Sequence, residues 1–483
     1  MADVPGGPAS RAAKIELLVV DLDGTLVRGD LLAESFFSVL KHNPFAALFA
    51  GAALFGGRAQ LKRALAERAA LDVASLPYDD EVLALIEEHR AAGTRIVLAT
   101  ATDERLADAV ASHLGVFDDV WASNGTDNLK GDKKRAVIEE RAAGKPWAYV
   151  GDADADVDIF RAAPAAIAVA PASRIARWKT KGLSFTRELV REGASPGALV
   201  GAMRPHQWAK NLLLFVPLFL AHRPDAAEWL RALLAFVSFC LVASAAYIGN
   251  DLMDLTADRR HPKKRRRAFA AGRLPLFAGL VMVPALLGAG AAVALLLPLP
   301  FLAALAVYAV STVAYSWRLK QLLVVDVVVL AGLYTLRLVA GALAAEVEMS
   351  FWLSAFSLFI FTSLALAKRH TELGMWAAEK QEKVAGRGYL VDDRVQVGSL
   401  GAAAGFVAVL VLALYIHSDD VRRLYARPTV LWGVLPLLLY WINRVWVLAA
   451  RGVLHDDPIV FALRDRASWI VALLAGALVL LAR

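Results

Sequence analysis

Residues 17–26 read LLVVDLDGTL. Four apolar residues run without polar alternation, then two carboxylates flank Leu22 and a glycine follows. An uninterrupted apolar run of this length suits a strand covered on both faces, as in a parallel sheet. Gly24 permits the tight turn that must end it. Working outward, RIVLAT (95–100) and WAYVGDADAD (147–156) repeat the pattern, the first ending in Thr100, the second in Gly151 and Asp152 with Asp154, Asp156 and Asp158 beyond. GDKKRAVI (131–138) opens a helix with Lys134 near its start, and DERLADAVASHLG (103–115) is another helix-like stretch. Strands alternating with helices predict an α/β fold. The ligand crevice of such a sheet lies at the carboxyl ends of its strands. Asp21, Asp23, Thr100, Asp152 and Asp156 are therefore expected to converge.

That set suits phosphoryl chemistry. A carboxylate can attack phosphorus. Clustered acids repel a phosphate unless a hard cation such as Mg²⁺ offsets their charge. Lys134 and Thr100 can hold phosphate oxygens, and a second acid can move the leaving-group proton. Over residues 14–190 the chain resembles the haloacid dehalogenase superfamily of phosphatases, with DLDGT, Thr100, Lys134 and GDADAD matching its four motifs in order. The resemblance implies a Rossmann-like fold with a helical cap at about 30–85. It implies Asp21 as nucleophile, Asp23 as acid and base, and Mg²⁺ on Asp21, the Asp23 carbonyl and Asp152, with Asp156 nearby. Lys133 is an alternative to Lys134; the family's GxxK spacing favours Lys134. An inactive relic of the fold is the other reading. The cap stretch FAALFAGAALFGG (45–57) is too short to span a bilayer. It either packs within the cap or dips into the membrane surface through Phe45, Leu48 and Phe55.

Composition points to a second region. Of 483 residues, 58% are hydrophobic and 20% charged, and mean hydropathy is +0.50. This excludes a disordered or fibrous chain and a purely soluble enzyme. The lone Cys240 excludes an internal disulfide framework and suits a reducing compartment. Residues 1–13 lack the apolar core of a signal and are expected to be disordered. The phosphatase-like domain is placed at 14–192, a linker at 193–203 and a membrane domain at 204–483. Nine apolar stretches fall near 207–221, 231–249, 274–297, 299–316, 323–345, 351–367, 398–416, 429–447 and 467–482. Even-numbered loops carry twenty Lys and Arg, odd-numbered loops and the C-terminus five. The positive-inside rule then predicts a multi-pass protein of the inner (cytoplasmic) membrane, with its N-terminal domain and active sites cytoplasmic. The net charge of +7 is accounted for by those loops, so the lipid bilayer is the expected partner and nucleic acid is not.

After the second stretch the chain reads YIGNDLMDLTADRRHPKKRRRAFAAGRLP. Asn250, Asp251, Asp254 and Asp258 recur at helical spacing and would form one acidic face. A basic run that includes Lys264 and Arg267 follows. Carboxylates beside Lys and Arg suit a Mg²⁺-diphosphate. A plain positive-inside anchor is the bland alternative for the basic run. Residues 200–483 resemble the UbiA superfamily of membrane prenyltransferases, which bind prenyl diphosphates through two aspartate-rich motifs. Here the second DxxxD motif is missing: Asp326 stands alone, preceded by Arg318 and Lys320 and followed by Arg337. RPHQWAKNLLLF (204–215), the run YSxxLKxxxxxD…R…G from Tyr315 to Gly341, and AKRHTEL (367–373) point to the decaprenyl-phosphate phosphoribosyltransferase branch. There the donor is the sugar diphosphate PRPP and the acceptor a polyprenyl phosphate. The resemblance implies Asp251, Asp254 and Asp258 on Mg²⁺. Arg204, Lys210, Asn211, Asn250, Lys264, Arg267, Arg318, Lys320, Asp326, Arg337, Lys368 and Arg369 are the candidate substrate-binding residues. Transfer would leave a phosphate on the pentose, which the N-terminal half could remove. The alternatives are an aromatic prenyltransferase, a regulatory N-terminal module and a lipid transporter. Homo-oligomers occur among related membrane enzymes; the sequence specifies none.

Overall fold

The computed structural model describes residues 15–43, 45–47, 57–124, 126–221, 225–378, 387–454 and 458–483. The chain divides into two compact units. One comprises 1–203 together with 248–282, the other 204–247 and 283–483. The loop after the second apolar stretch thus packs with the N-terminal residues, whereas the sequence assigns it to the membrane domain.

The first unit is built on six parallel strands: β1 (Leu17–Val20), β2 (Arg95–Asp103), β3 (Asp119–Ser123), β4 (Trp147–Gly151), β5 (Ala165–Ala170) and β6 (Arg187–Val190), in the order β3-β2-β1-β4-β5-β6. All four β1 residues are at most 4% exposed. Leu18 and Val20 join one core layer with Leu98, Val150 and Leu85, and Leu17 and Val19 join the other with Val97, Tyr149 and Trp178. Covering both faces removes each such side chain from water, worth about 1.5–3 kcal/mol apiece. Register pairs Val20 with Leu98 and Val150, so the residues that follow all emerge on one edge.

Between β1 and β2 come Leu31–His42, Arg58–Ala66, a 3₁₀ turn at Val73–Ser75, and Asp80–Ala91. Asp30, Asp79 and Asp103 cap their helices by accepting first-turn amides. The helix Asp80–Ala91, which overlaps the end of the expected cap at 30–85, buries Val82, Leu85 and Ile86 in the sheet core. Phe45 is 74% exposed; Leu48 and Phe55 lie outside the described residues.

Among the described residues, seven helices are long and apolar enough to cross a membrane: Ala226–Met253, Leu276–Ala294, Leu299–Trp317, Val325–Ala345, Phe351–Ala378, Val391–His417 and Pro428–Ala450. The expected count was nine. Residues 207–221 do not form one helix, since Pro205–Phe215 is 3₁₀ and Val216–Leu220 a short α-helix. Pro217 lacks the amide that a helix continuing from Leu213 would need. Arg466–Ala482 has 17 residues, about 25 Å against a hydrocarbon core of roughly 30 Å. The linker also holds a helix, Pro196–Ala202, capped by Ser195.

Within the second unit, Phe239, Phe301 and Tyr308 anchor one core cluster, and Tyr334, Phe361 and Ile442 another. Leu295, Leu299, Phe351 and Leu480 are 70–76% exposed. Apolar helices with such outward surfaces need lipid around them. This is a multi-pass membrane protein with an N-terminal α/β domain on a parallel sheet and an all-α membrane domain.

Candidate active sites

Asp21 follows β1 directly and Lys134 reaches it from the helix Asp132–Ala142. The ammonium donates to Asp21 Oδ1 at 2.6 Å and to the Tyr149 hydroxyl at 2.8 Å, and Lys134 is 3% exposed. Lys133 is exposed and pairs with Asp127. Burial thus sets Lys134, which the GxxK spacing favours, apart from Lys133. Lys134→Met should lower hydrolysis of a soluble phosphate ester by roughly 10²-fold or more, the scale of a lost charged contact at the reacting group, and Lys133→Met by less than about twofold. Steady-state rates with p-nitrophenyl phosphate decide it; equal losses would contradict the assignment.

Ligand atoms of Asp21, Asp152 and Asp156 lie within 4.8 Å of one another. Gly24, at φ +74°, is required beside them, because a Cβ there would come within 2.2 Å of Asp152 Oδ2. The Asp156 carboxylate accepts from the Ala153 amide at 3.2 Å, and Arg174 donates to the Asp152 carbonyl at 2.8 Å. Burial, then the neighbouring Asp21 and Asp156, pushes the Asp152 carboxyl up to about 8. Burial likewise raises Asp156 to about 6, with Lys134 opposing and Asp21 adding. Buried carboxylates that repel one another this strongly fit a hard divalent cation with oxygen ligands.

Asp23 is not part of that cluster. Its side chain turns toward the cap, accepting from the Leu31 amide at 2.7 Å and, at short range, from the Thr102 hydroxyl. Burial first, then Asp30, raises its pKa to about 7, with the Thr102 and Leu31 hydrogen bonds opposing. A carboxyl poised there can hold or release a proton near neutral pH. Thr100 is fully buried, and its hydroxyl oxygen accepts from the Thr102 amide at 3.0 Å.

Sequence reasoning missed Thr102, Tyr149, Lys62 and Arg191. Thr102 lies two residues past the expected motif. Lys62 comes from the cap helix Arg58–Ala66, where it donates to the Ala101 carbonyl at 2.5 Å and to Asn128 at 3.3 Å. Burial lowers its pKa, and Asp23 and Asp30 partly offset this. Arg191, beyond β6, donates to the carbonyls of Gly24 and Thr25 and pairs with Asp79 at 2.8 Å. Only the fold brings these residues to the edge.

The aspartate-rich segment departs from the expected single helical face. The helix Ala226–Met253 ends just after Asn250 and Asp251, and Asp254 leaves helical geometry at φ −107°, ψ 19°. Asp258 lies on the next short helix, Leu255–Arg260. Arg267 Nη1 donates to Asp251 at 3.1 Å and to Asp258 at 2.5 Å. Among the described residues, Asp251, Asp254 and Asp258 do not converge as a three-carboxylate cluster. Lys264 is exposed.

Two polar constellations sit in the second unit. Arg337 donates to Asn211 Oδ1 at 2.9 Å and to the Tyr308 hydroxyl at 3.0 Å, and stacks over the Tyr308 and Tyr334 rings at 4.8 and 5.4 Å. Lys210 lies 5.9 Å over Tyr334, and Arg204 5.3 Å over Tyr247. Lys210, Asn211 and Arg337 are thus brought together. In the other, fully buried Asp326 accepts from Arg369 Nε at 2.6 Å and from the Tyr389 hydroxyl at 2.8 Å. The two residues named as substrate ligands answer each other there. Arg318 is exposed, Lys320 and Lys368 half-buried. Elsewhere a cavity of about 1020 Å³ is walled by residues such as Leu353, Phe356, Leu412, Leu438 and Trp441.

Comparison with known proteins agrees with this anatomy. The UbiA prenyltransferase family model matches residues 211–461, over half of the chain, and the haloacid dehalogenase-like hydrolase model matches 18–161. The chain is 39% identical over 468 residues to the uncharacterized protein y4nM of Sinorhizobium fredii, covering 96% of this chain and 90% of that one. It is 29% identical over 280 residues to the decaprenyl-phosphate phosphoribosyltransferase of Mycobacterium tuberculosis, covering 57% and 90%. A solved UbiA homolog from Archaeoglobus fulgidus bound to GPP and Mg²⁺ aligns at TM-score 0.47 and 15% identity, over 58% of this chain and 99% of that one. The chain belongs to the UbiA prenyltransferase family and carries a haloacid dehalogenase-like hydrolase domain ahead of its membrane half.

Proposed function

We propose that this protein transfers 5-phosphoribosyl from PRPP to a polyprenyl phosphate and then removes the 5-phosphate, giving polyprenyl-phosphoryl ribose. One observation carries the reading. An assembled phosphohydrolase site shares a chain with a membrane half similar to a phosphoribosyltransferase, whose product would still carry a phosphate ester. Fusion raises the local concentration of that product at the second site.

In the first step an oxygen of the lipid phosphate attacks C1 of the pentose, and the C1–O bond to diphosphate breaks. Arg267, held by Asp251 and Asp258, and Lys264 meet the charge on the departing diphosphate. Arg337 and Lys210, on their aromatic platform, suit the acceptor phosphate, and the apolar cavity suits its prenyl tail. In the second step Asp21 attacks the 5-phosphorus and Asp23 gives its proton to the leaving C5 oxygen. Asp23 then takes a proton from water, which attacks the aspartyl phosphate and releases inorganic phosphate. A Mg²⁺ ion on Asp21, Asp152 and Asp156, when bound, would offset the charge of the phosphate and its ligands. Lys134 holds Asp21 in place. Residues 250–273 carry eight Lys and Arg and pack in one unit with 1–203, which supports cytoplasmic active sites and an inner-membrane location.

Supplying purified protein with polyprenyl phosphate and labelled PRPP should yield lipid-extractable pentose. Excess prenyl diphosphate should compete weakly. Strong competition together with prenylation of an aromatic acceptor would overturn the donor assignment.

Cation binding should also appear in stability. The Asp152 and Asp156 carboxyls titrate near 8 and 6 in the fold against 3.8 ordinarily, so the folded state binds protons more tightly. Without metal, their contribution therefore falls as pH rises from about 4 to 8. Mg²⁺ binds the ionised form and should reverse that loss. Thermal unfolding of this unit should shift upward with Mg²⁺ by more at pH 8 than at pH 5.5; about 2.7 kcal/mol is available at a hundredfold excess over Kd. A shift equal at both pH values would contradict the cluster as the binding site.

A further inference from the structure

The aspartate-rich segment is clasped by cap residues within the first unit. Arg259 makes a two-point ion pair with Glu34: Nη1 donates to Oε2 at 3.1 Å and Nη2 to Oε1 at 2.5 Å. The two side chains are 7% and 3% exposed. Arg259 Nε also donates to the Ala270 carbonyl at 3.1 Å, so one guanidinium fastens the basic loop to itself and to the cap. Arg260 pairs with Asp72 at 2.6 Å, and Lys41 donates to Asp254 at 3.2 Å. Gly272, at φ +67°, lets the Arg28 carbonyl approach to where a Cβ would lie 2.1 Å from it.

Glu34, Lys41 and Asp72 belong to the cap region, and hydrolysis of a phosphate ester as described above uses none of them. A buried Arg–Glu pair gains little net stability over apolar packing, but it penalises any register that separates the partners. The planar guanidinium fork fixes orientation as well as distance. Arg267, eight residues past Arg259, is the group that reaches Asp251 and Asp258.

We infer that the phosphatase cap orders the diphosphate-binding segment of the transferase, with Glu34 and Asp72 as positioning residues for a site to which they contribute no ligand. This rests on the reading of 250–267 as the diphosphate site. The transferase half then needs the phosphatase half for donor binding, and not only for the step that follows.

The test uses the full-length protein in lipid nanodiscs, with inorganic diphosphate as probe, with and without Mg²⁺. Amide hydrogen exchange reports order in 255–273. Binding is scored as the part abolished by Arg267→Ala. Glu34→Ala should speed exchange in 255–273 and weaken diphosphate binding, each by about tenfold, while hydrolysis of p-nitrophenyl phosphate stays within about twofold. The exchange of charges Glu34→Arg with Arg259→Glu should restore both. Should Glu34→Ala fail to fold, Asp72→Asn with Arg260→Met removes the more exposed pair and should move both readouts the same way. Unchanged exchange overturns the docking, and faster exchange with unchanged binding overturns the positioning role. Turnover of PRPP by the parent tests the proposed donor separately, because inorganic diphosphate probes the segment whichever donor it serves.

Discussion

Asp21→Asn should abolish phosphatase turnover, by roughly 10⁴-fold or more, as removal of a catalytic nucleophile commonly does. The substitution keeps the size of the side chain and one oxygen for Lys134. It removes the negative charge proposed to attack phosphorus, which faces Asp152 and Asp156. Relieving that repulsion should leave the fold at least as stable as the parent. Pentosyl transfer should continue, so the lipid that accumulates keeps its 5-phosphate. Two readouts check this: hydrolysis of a soluble ester, and the phosphate content of the lipid. Parent-like hydrolysis by Asp21→Asn would show that the N-terminal half works by other chemistry.

Asp258→Asn should have the reciprocal effect. Asp258 accepts from Arg267 at 2.5 Å, and with Asp251 it aims that guanidinium. Charge stabilisation at a leaving group is worth several kcal/mol, so transfer from PRPP should fall by roughly 10²- to 10³-fold. Hydrolysis of p-nitrophenyl phosphate should be unchanged, because the hydrolytic carboxylates are a separate set. Loss of both activities together would mean that the substitution had damaged the unit. Loss of neither would remove this segment from the reaction.

The convergence of Asp21, Asp152 and Asp156 was legible because their motifs are local. Each of DLDGT, RIVLAT and GDADAD carries its own strand and its own chemistry, and parallel register does the rest. GxxK spacing favours Lys134 over Lys133, and in the helix Lys134 is the buried one. Thr102, Lys62 and Arg191 escaped because their roles come from the fold: a hydroxyl past a strand, a lysine on a cap helix, an arginine beyond the last strand.

In the membrane half, hydropathy found the long helices, but two of its nine stretches are not single helices long enough to span alone. The stretch 207–221 is apolar, yet it divides into a 3₁₀ segment and a short α-helix at Pro217. Spacing placed Asp251, Asp254 and Asp258 on one face; the break at Asp254 divides them between two helices. In the sequence Asp326 stands alone where a second DxxxD motif is missing, and reads as a substrate-binding candidate. Its buried pairing with Arg369 and Tyr389 joins residues 43 and 63 positions away, beyond the reach of local pattern. The clasp between Glu34 and Arg259 spans 225 positions and left no trace in either motif.

The most direct test of the account is the mass of the lipid formed when the parent protein receives PRPP, polyprenyl phosphate and Mg²⁺. The account predicts a pentosyl lipid that has lost the 5-phosphate, with the phosphorylated form appearing first and then declining. A pentosyl lipid that keeps its phosphate throughout would contradict the coupled function, and no pentosyl lipid at all would contradict the donor.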